Sequence, residues 1–267
     1  MRCSVRFNLF GTMALRAAAA AAAAAVALTA APLAQAQAAD AEHPSAKRPF
    51  KLAPSADLVY TIKARQRGIA INGDATVQWR AGDGKYAIAT ESHAGLFGKI
   101  LESRSEGAVD DYGLAPSTFT EKRFRKEPTT ATFKRDSKTL VFSGGKEQYG
   151  LKGGEQDRTS APWQLLSLAR AASDKFVPGS EWAFFVAGRH DAEAWVFKVV
   201  GKENVQAGAG IGEVEAVHFT KSPPKDRQGQ QVDLWLAPSL EWYPVRIRFA
   251  EDDNEYVDQL LDKVAKK

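Results

Sequence analysis

The chain has 267 residues, and its 36 Lys and Arg exceed 32 Asp and Glu for a formal charge of +4. Arg2, Arg6 and Arg16 stand at the extreme N-terminus; without them the balance is 33 against 32, which excludes nucleic-acid binding driven by bulk charge. Cys3 is the only cysteine, so the rest of the chain has no disulfide, thiolate nucleophile or thiolate metal ligand.

The N-terminal arginines precede an Ala-rich apolar run through Val26 and Leu28. Ala34-Gln35-Ala36 and Ala36-Gln37-Ala38 are both small-x-small cleavage sites. Residues 1–38 therefore read as a secretory signal peptide, cut after Ala36 or Ala38, which predicts a periplasmic protein with no stable membrane span after cleavage. Residues 39–55 are polar and carry Pro44, Pro49 and Pro54, the pattern of a disordered linker whose end Phe50 and Leu52 pin to the fold. Residues 56–267 are long enough for a single β-rich domain.

From Asp57 onward, apolar residues alternate with polar ones, the mark of half-buried strands. Leu58, Tyr60 and Ile62 form one face; Ala75, Val77 and Trp79 form another, and Gly82-Asp83-Gly84 turns the chain towards Tyr86 and Ile88. Asn72-Gly73 is read as a second tight turn or a bulge. Short alternating segments continue from Ile100 to Leu151.

Gln156–Phe176 is the one strong helical stretch. Ser160 is the expected N-cap, with Thr159 as an alternative. Pro162 suits the first turn. Leu165, Leu168, Ala169, Ala172 and Phe176 share one face, and Pro178-Gly179 ends the element. Trp163 lies opposite that stripe, either packed beneath the preceding loop or available for stacking. Beyond the helix, alternation resumes around Trp182, Trp195, Glu213–Thr220, Gln231–Leu236 and Trp242–Phe249. The last segment, Glu255–Val264, fits a strand or a helix, and the strand is preferred. The expected fold is mainly β: an antiparallel, strongly curved sheet or open barrel with one long helix packed against it.

Motifs for chemistry are scarce. His43, His93, His190 and His218 are scattered without ligand spacing, so no metal site is expected. His218, near Glu215, reads as a satisfied sheet histidine. Gly208–Gly212 is not followed by a helix, so it reads as a hairpin and not as a phosphate loop. No G-x-S-x-G elbow occurs. Basic strips occur at Lys63, Arg65 and Arg67, at Lys122, Arg123, Arg125 and Lys126, and at Arg246 and Arg248. They suit an anionic surface or simple edge protection. Gln156, Asp157 and Arg158 read first as a loop-and-cap network and alternatively as one polar corner of a ligand pocket; together with Trp163 they are the candidate ligand-binding residues. Asp157 also suits the helix dipole.

Trp79 with Gly84-Lys85-Tyr86, Ser105-Glu106-Gly107, Gly113–Pro116, Gln156–Ser160, Pro178–Trp182, Trp235–Pro238 and Tyr243–Ile247 stand in an order that resembles proteobacterial exported proteins grouped as domain of unknown function 3108. The resemblance spans about Leu58 to Leu261. It implies a periplasmic β-rich domain similar to the half-barrel folds of lipoprotein carriers, and no established activity or catalytic residue.

These readings favour a non-enzymatic envelope binding protein enclosing an apolar ligand or lipid. The alternative is a structural or interaction module with a filled core and an envelope-protein partner; an enzyme ranks last. No cofactor is implied, and partners are expected among lipids or envelope proteins, not nucleic acid.

Overall fold

The alternation at Leu58, Tyr60 and Ile62 becomes the inner face of the first of fifteen strands in the computed structural model, which describes residues 43–223, 229–252 and 254–267. The expected signal peptide and both cleavage sites lie outside the described residues.

The first half is a meander of β1 (Ala56–Gln66), β2 (Ile69–Gly82), β3 (Lys85–Ala94), β4 (Gly98–Asp110), β5 (Gly113–Arg123), β6 (Thr129–Lys134), β7 (Thr139–Phe142) and β8 (Gln148–Gly150). After the two-residue β9 (Gln156–Asp157) and the helix α1 (Ser160–Ala171) come β10 (Glu181–Ala187), β11 (Ala192–Gln206), β12 (Glu213–Lys221), β13 (Gln231–Leu236), β14 (Pro244–Ala250) and β15 (Tyr256–Lys266). The C-terminal segment is thus a strand. It pairs antiparallel with β1, so the two meanders join into one sheet running from β8 through β1 and β15 to β9.

Among the described residues no backbone strand pairing closes the sheet. Its two ends instead meet through side chains. Phe142 of β7 and Tyr149 of β8 pack around Phe185 of β10, whose ring lies 5.5 Å from that of Tyr149. Register shifts between Glu106 and Gly107 and between Val59 and Tyr60 help bend the sheet. At Gly107 any Cβ would lie 2.1 Å from the Ala115 carbonyl oxygen, so only glycine permits that approach.

Two local expectations need correction. The β1–β2 turn is Arg67-Gly68, with φ of 50° and 79°, and Asn72-Gly73 lies inside β2. Both turn residues take the left-handed geometry of a two-residue hairpin, which Arg67 adopts despite its side chain. The helix is also shorter than Gln156–Phe176. Gln156 and Asp157 pair in parallel with Val186 and Ala187, α1 stops at Ala171, and a separate 3-10 turn covers Ser173–Lys175. Ala172, at φ −145°, leaves helical geometry.

Nine of the twelve residues of α1 are buried, on all of its faces. Residues 43–55, expected as a disordered linker, explain why. They run as an extended strap whose Lys51 N–H donates to Ser167 O at 2.8 Å, while Phe50 and Leu52 pack on the core. The Ala53 carbonyl accepts the Trp79 indole N–H at 3.0 Å, and Pro54 O accepts the Tyr243 hydroxyl at 2.6 Å. Trp163 stacks on Trp79 with centroids 4.6 Å apart and meets Tyr243 edge-on at 6.1 Å. Such a ring cluster, buried on every side, supplies area and specific geometry together.

Replacing Trp163 with Ala is expected to lower unfolding stability by about 3–5 kcal/mol in urea denaturation. A loss below about 1 kcal/mol would show that the indole is not a core element.

Candidate functional site

Three consecutive polar residues, Glu155, Gln156 and Asp157, are each 0% exposed. Buried polar groups are costly unless bonded, and each of these three bonds a different part of the chain.

Glu155 sits at the junction of the sheet ends. Its Oε2 accepts from Arg135 Nη1 at 2.7 Å, and its Oε1 accepts from Gly153 N at 2.7 Å and from Lys152 N. Oε1 also lies 3.3 Å from His43 Nε2, and the His43 ring stacks on Phe185 at 3.9 Å. Burial would raise this carboxyl, but the His43 contact and the backbone N–H groups outweigh it and hold the group at about 2.

Gln156 reaches the other way. Its Nε2 donates to Leu114 O at 2.7 Å and to Gly154 O at 3.3 Å. Its Oε1 has no partner among the described residues.

Asp157 caps the helix, the role expected of Ser160. Its Oδ1 accepts the N–H groups of Thr159 and Ser160, both at 2.8 Å, and Ser160 Oγ accepts from Asp157 N at 2.9 Å. Thr159 occupies the cap position without a side-chain capping bond, its hydroxyl lying instead 3.0 Å from Ser103 Oγ. Asp157 Oδ2 accepts from Ser105 Oγ at 2.5 Å, and Tyr86 Oη lies 3.0 Å from the same hydroxyl. Burial pushes the Asp157 carboxyl up to about 6 despite these bonds. The C-terminal end of α1 is tied separately, through Arg170 Nη1 to Glu241 Oε2 at 2.5 Å.

The four candidate binding residues therefore do not form one open corner. Gln156, Asp157 and Trp163 are enclosed. Only Arg158 is exposed, with its N–H donating to Ala187 O at 3.1 Å. Sequence reasoning missed Glu155, Gln164 and His43. Gln164 Oε1 accepts from Leu114 N and its Nε2 donates to Tyr112 O, both at 2.8 Å. At Gly113, with φ of 106°, a side chain would overlap that amide.

Elsewhere, His218 is satisfied within the sheet. Its ring nitrogens lie 3.0 Å from Asp233 Oδ1 and 3.2 Å from Glu203 Oε1, and it stacks on Trp235 at 4.3 Å. Glu215 pairs with Lys202 instead. Among the described residues no cluster of His, Cys, Asp and Glu has the form of a metal site. Surface depressions of about 300 Å³ beside Arg248 and Asp252, and of about 730 Å³ along Arg80, Ala87, Glu106 and Ser117, contain no residue of α1.

Part of the set of residues that carried the resemblance lies at this buried junction or against α1. Trp79 meets α1, Tyr86 and Ser105 lead to Asp157, and Leu114 holds Gln156 and Gln164. The family model described as a protein of unknown function, DUF3108, matches residues 59–260. The chain belongs to the DUF3108 family. A search of curated proteins returned no match. Among solved structures, this DUF3108 chain is similar to a Bacteroides fragilis protein described as exported and as having a YmcC-like fold, at 9% identity and a TM-score of 0.31 over 83% of this chain and 100% of that one. No helix of the described residues is long and apolar enough to cross a membrane.

The pH dependence of stability tests the burial of Asp157. Its folded carboxyl titrates near 6 against an ordinary 3.8, so the folded state holds the extra proton between those values. Its contribution therefore becomes less favourable as pH rises from about 4 to about 6 and is level above. Asp157→Asn keeps an acceptor for both N–H groups and removes the titration. Its stability relative to wild type is expected to improve by roughly 2–3 kcal/mol between pH 4 and pH 7 in urea midpoints. A difference that stays constant across that range would contradict an enclosed, ionisable Asp157.

Proposed function

We propose that this DUF3108 protein is a non-enzymatic module of the cell envelope that acts through its outer surface and not through an internal ligand cavity. The filled space around α1 carries the reading. Trp79, Tyr60, Tyr243, Phe197, Phe219, Leu165 and Leu166 are among the largest fully buried side chains. They occupy the volume that an enclosed apolar ligand would need. The strap at 43–55 then covers the remaining helix face. The interaction-module reading is thereby favoured over the lipid container.

The enzyme reading draws no support from the titratable groups. Of the groups with shifted protonation, Glu155 and Asp157 at the junction are enclosed and bonded to backbone and side chains, and Glu241, held down to about 2 by Lys266 and Arg170, is tied in surface ion pairs. Catalysis needs such groups to converge on a cleft. The envelope assignment follows the export signal read at residues 1–38.

Native mass spectrometry of protein purified from periplasm tests the filled interior. The expected result is the bare polypeptide mass, with no stoichiometric lipid on organic extraction. A reproducible one-to-one lipid adduct would overturn the proposal and restore the container reading.

A further inference from the structure

The turns β1–β2, β3–β4 and β5–β6 all fall at one end of the sheet, because β1 to β6 are consecutive antiparallel neighbours. Tips two strands apart stand roughly 10 Å from one another. Each carries an exposed apolar side chain: Ile69 at 66%, Phe97 at 61% and Phe124 at 40%. These are three of the six large apolar residues so exposed among the described residues, so half of them share one rim. Phe97 and Phe124 touch edge-on at 6.3 Å, and Phe124 N donates to Ile100 O at 2.8 Å, which joins two tips into one platform.

Charge on this rim is one-sided. Lys99 is neutralised by Glu91 and Glu102, and Arg123 by Glu121. Arg65, Arg67, Lys122, Arg125 and Lys126 are exposed and form no ion pair among the described residues. Glu127 is the one acidic residue among these turns that stands beside them. Arg125 also lies over the Phe124 ring at 4.8 Å. The neighbouring β14–β15 turn, with Glu251, Asp252 and Glu255, is acidic and bounds the patch on the C-terminal side. Arg246, by contrast, is held by Asp258.

We propose that this rim docks on an anionic lipid surface, with Phe97, Phe124 and Ile69 entering the headgroup boundary and the free basic residues facing lipid phosphates. Exposed rings ringed by unpaired cations are what an interfacial contact requires: apolar area for the boundary and positive charge for the anionic layer. A bilayer is favoured over a protein partner because the apolar contacts sit on protruding tips, not in a concave groove that a side chain or helix would fill. The proposal rests on the surface-acting reading above only for its setting. A co-purified lipid would overturn the filled core and leave the vesicle result untouched.

Flotation with phosphatidylcholine vesicles, with and without phosphatidylglycerol, tests it on protein purified from cells expressing the full chain. Each surface cation contributes about fivefold to partitioning on an anionic layer. Anionic vesicles should therefore bind at least about tenfold more protein than neutral ones, and binding should fall as salt rises. Arg67→Glu with Arg125→Glu should lower binding about tenfold or more. Phe97→Ser with Phe124→Ser should weaken it with the circular dichroism spectrum unchanged. Val200→Ser, an exposed apolar residue outside the rim, should have no effect. Equal partitioning on both vesicle types, no binding to either, or an equal loss in Val200→Ser would overturn the proposal. Binding of an acidic protein with no vesicle binding would overturn it as well.

Discussion

The burial of Glu155, Gln156 and Asp157 in a row is the constraint on which the rest of this fold depends. No one secondary element can satisfy three adjacent polar side chains that point in different directions. The chain answers by bringing β4, β5, the β6–β7 turn, the N-terminal strap and the start of α1 to the same point. An unpaired buried group costs about 1–3 kcal/mol, so loss of any of these arrivals would be felt by the others. The junction is therefore an architectural device. It fixes where the helix enters, and it joins two sheet ends that share no hydrogen-bonded strand pair.

The same constraint explains the interior. With α1 anchored by Asp157 at one end and by Arg170–Glu241 at the other, the helix has little freedom to swing aside. Its faces are filled by the Trp79–Trp163 stack and closed by the strap. A protein so packed has its adjustable chemistry on the outside, where hairpin tips tolerate charge and exposed rings that the core does not.

Much of the sheet was legible in the sequence because alternation with period two survives any tertiary arrangement. Leu58-Tyr60-Ile62 and Ala75-Val77-Trp79 face inward as read. What failed was information that depends on partners distant in sequence. Trp163 stood off the apolar stripe because its neighbours, Trp79 and Tyr243, come from other strands. Pro44, Pro49 and Pro54 suggested a free linker, yet proline also favours an extended strap, and only the Ser167 and Trp79 bonds reveal it. Glu155 carried no local signal at all. Its role follows from Arg135 and His43, 20 and 112 residues away in sequence. The capping role of Asp157 was legible from its place before the helix, but the enclosure of Gln156 and Asp157 was not, because polarity in sequence says nothing about burial.

Peptide-resolved hydrogen exchange of Glu155→Ala against wild type tests the central claim most directly. If Glu155 ties the sheet ends, exchange should accelerate together in the strap at 43–55, in β6–β7 and in β10, while β1 and β15 at the middle of the sheet keep their protection. Acceleration confined to the residues beside position 155, or none in β6–β7 and β10, would contradict it.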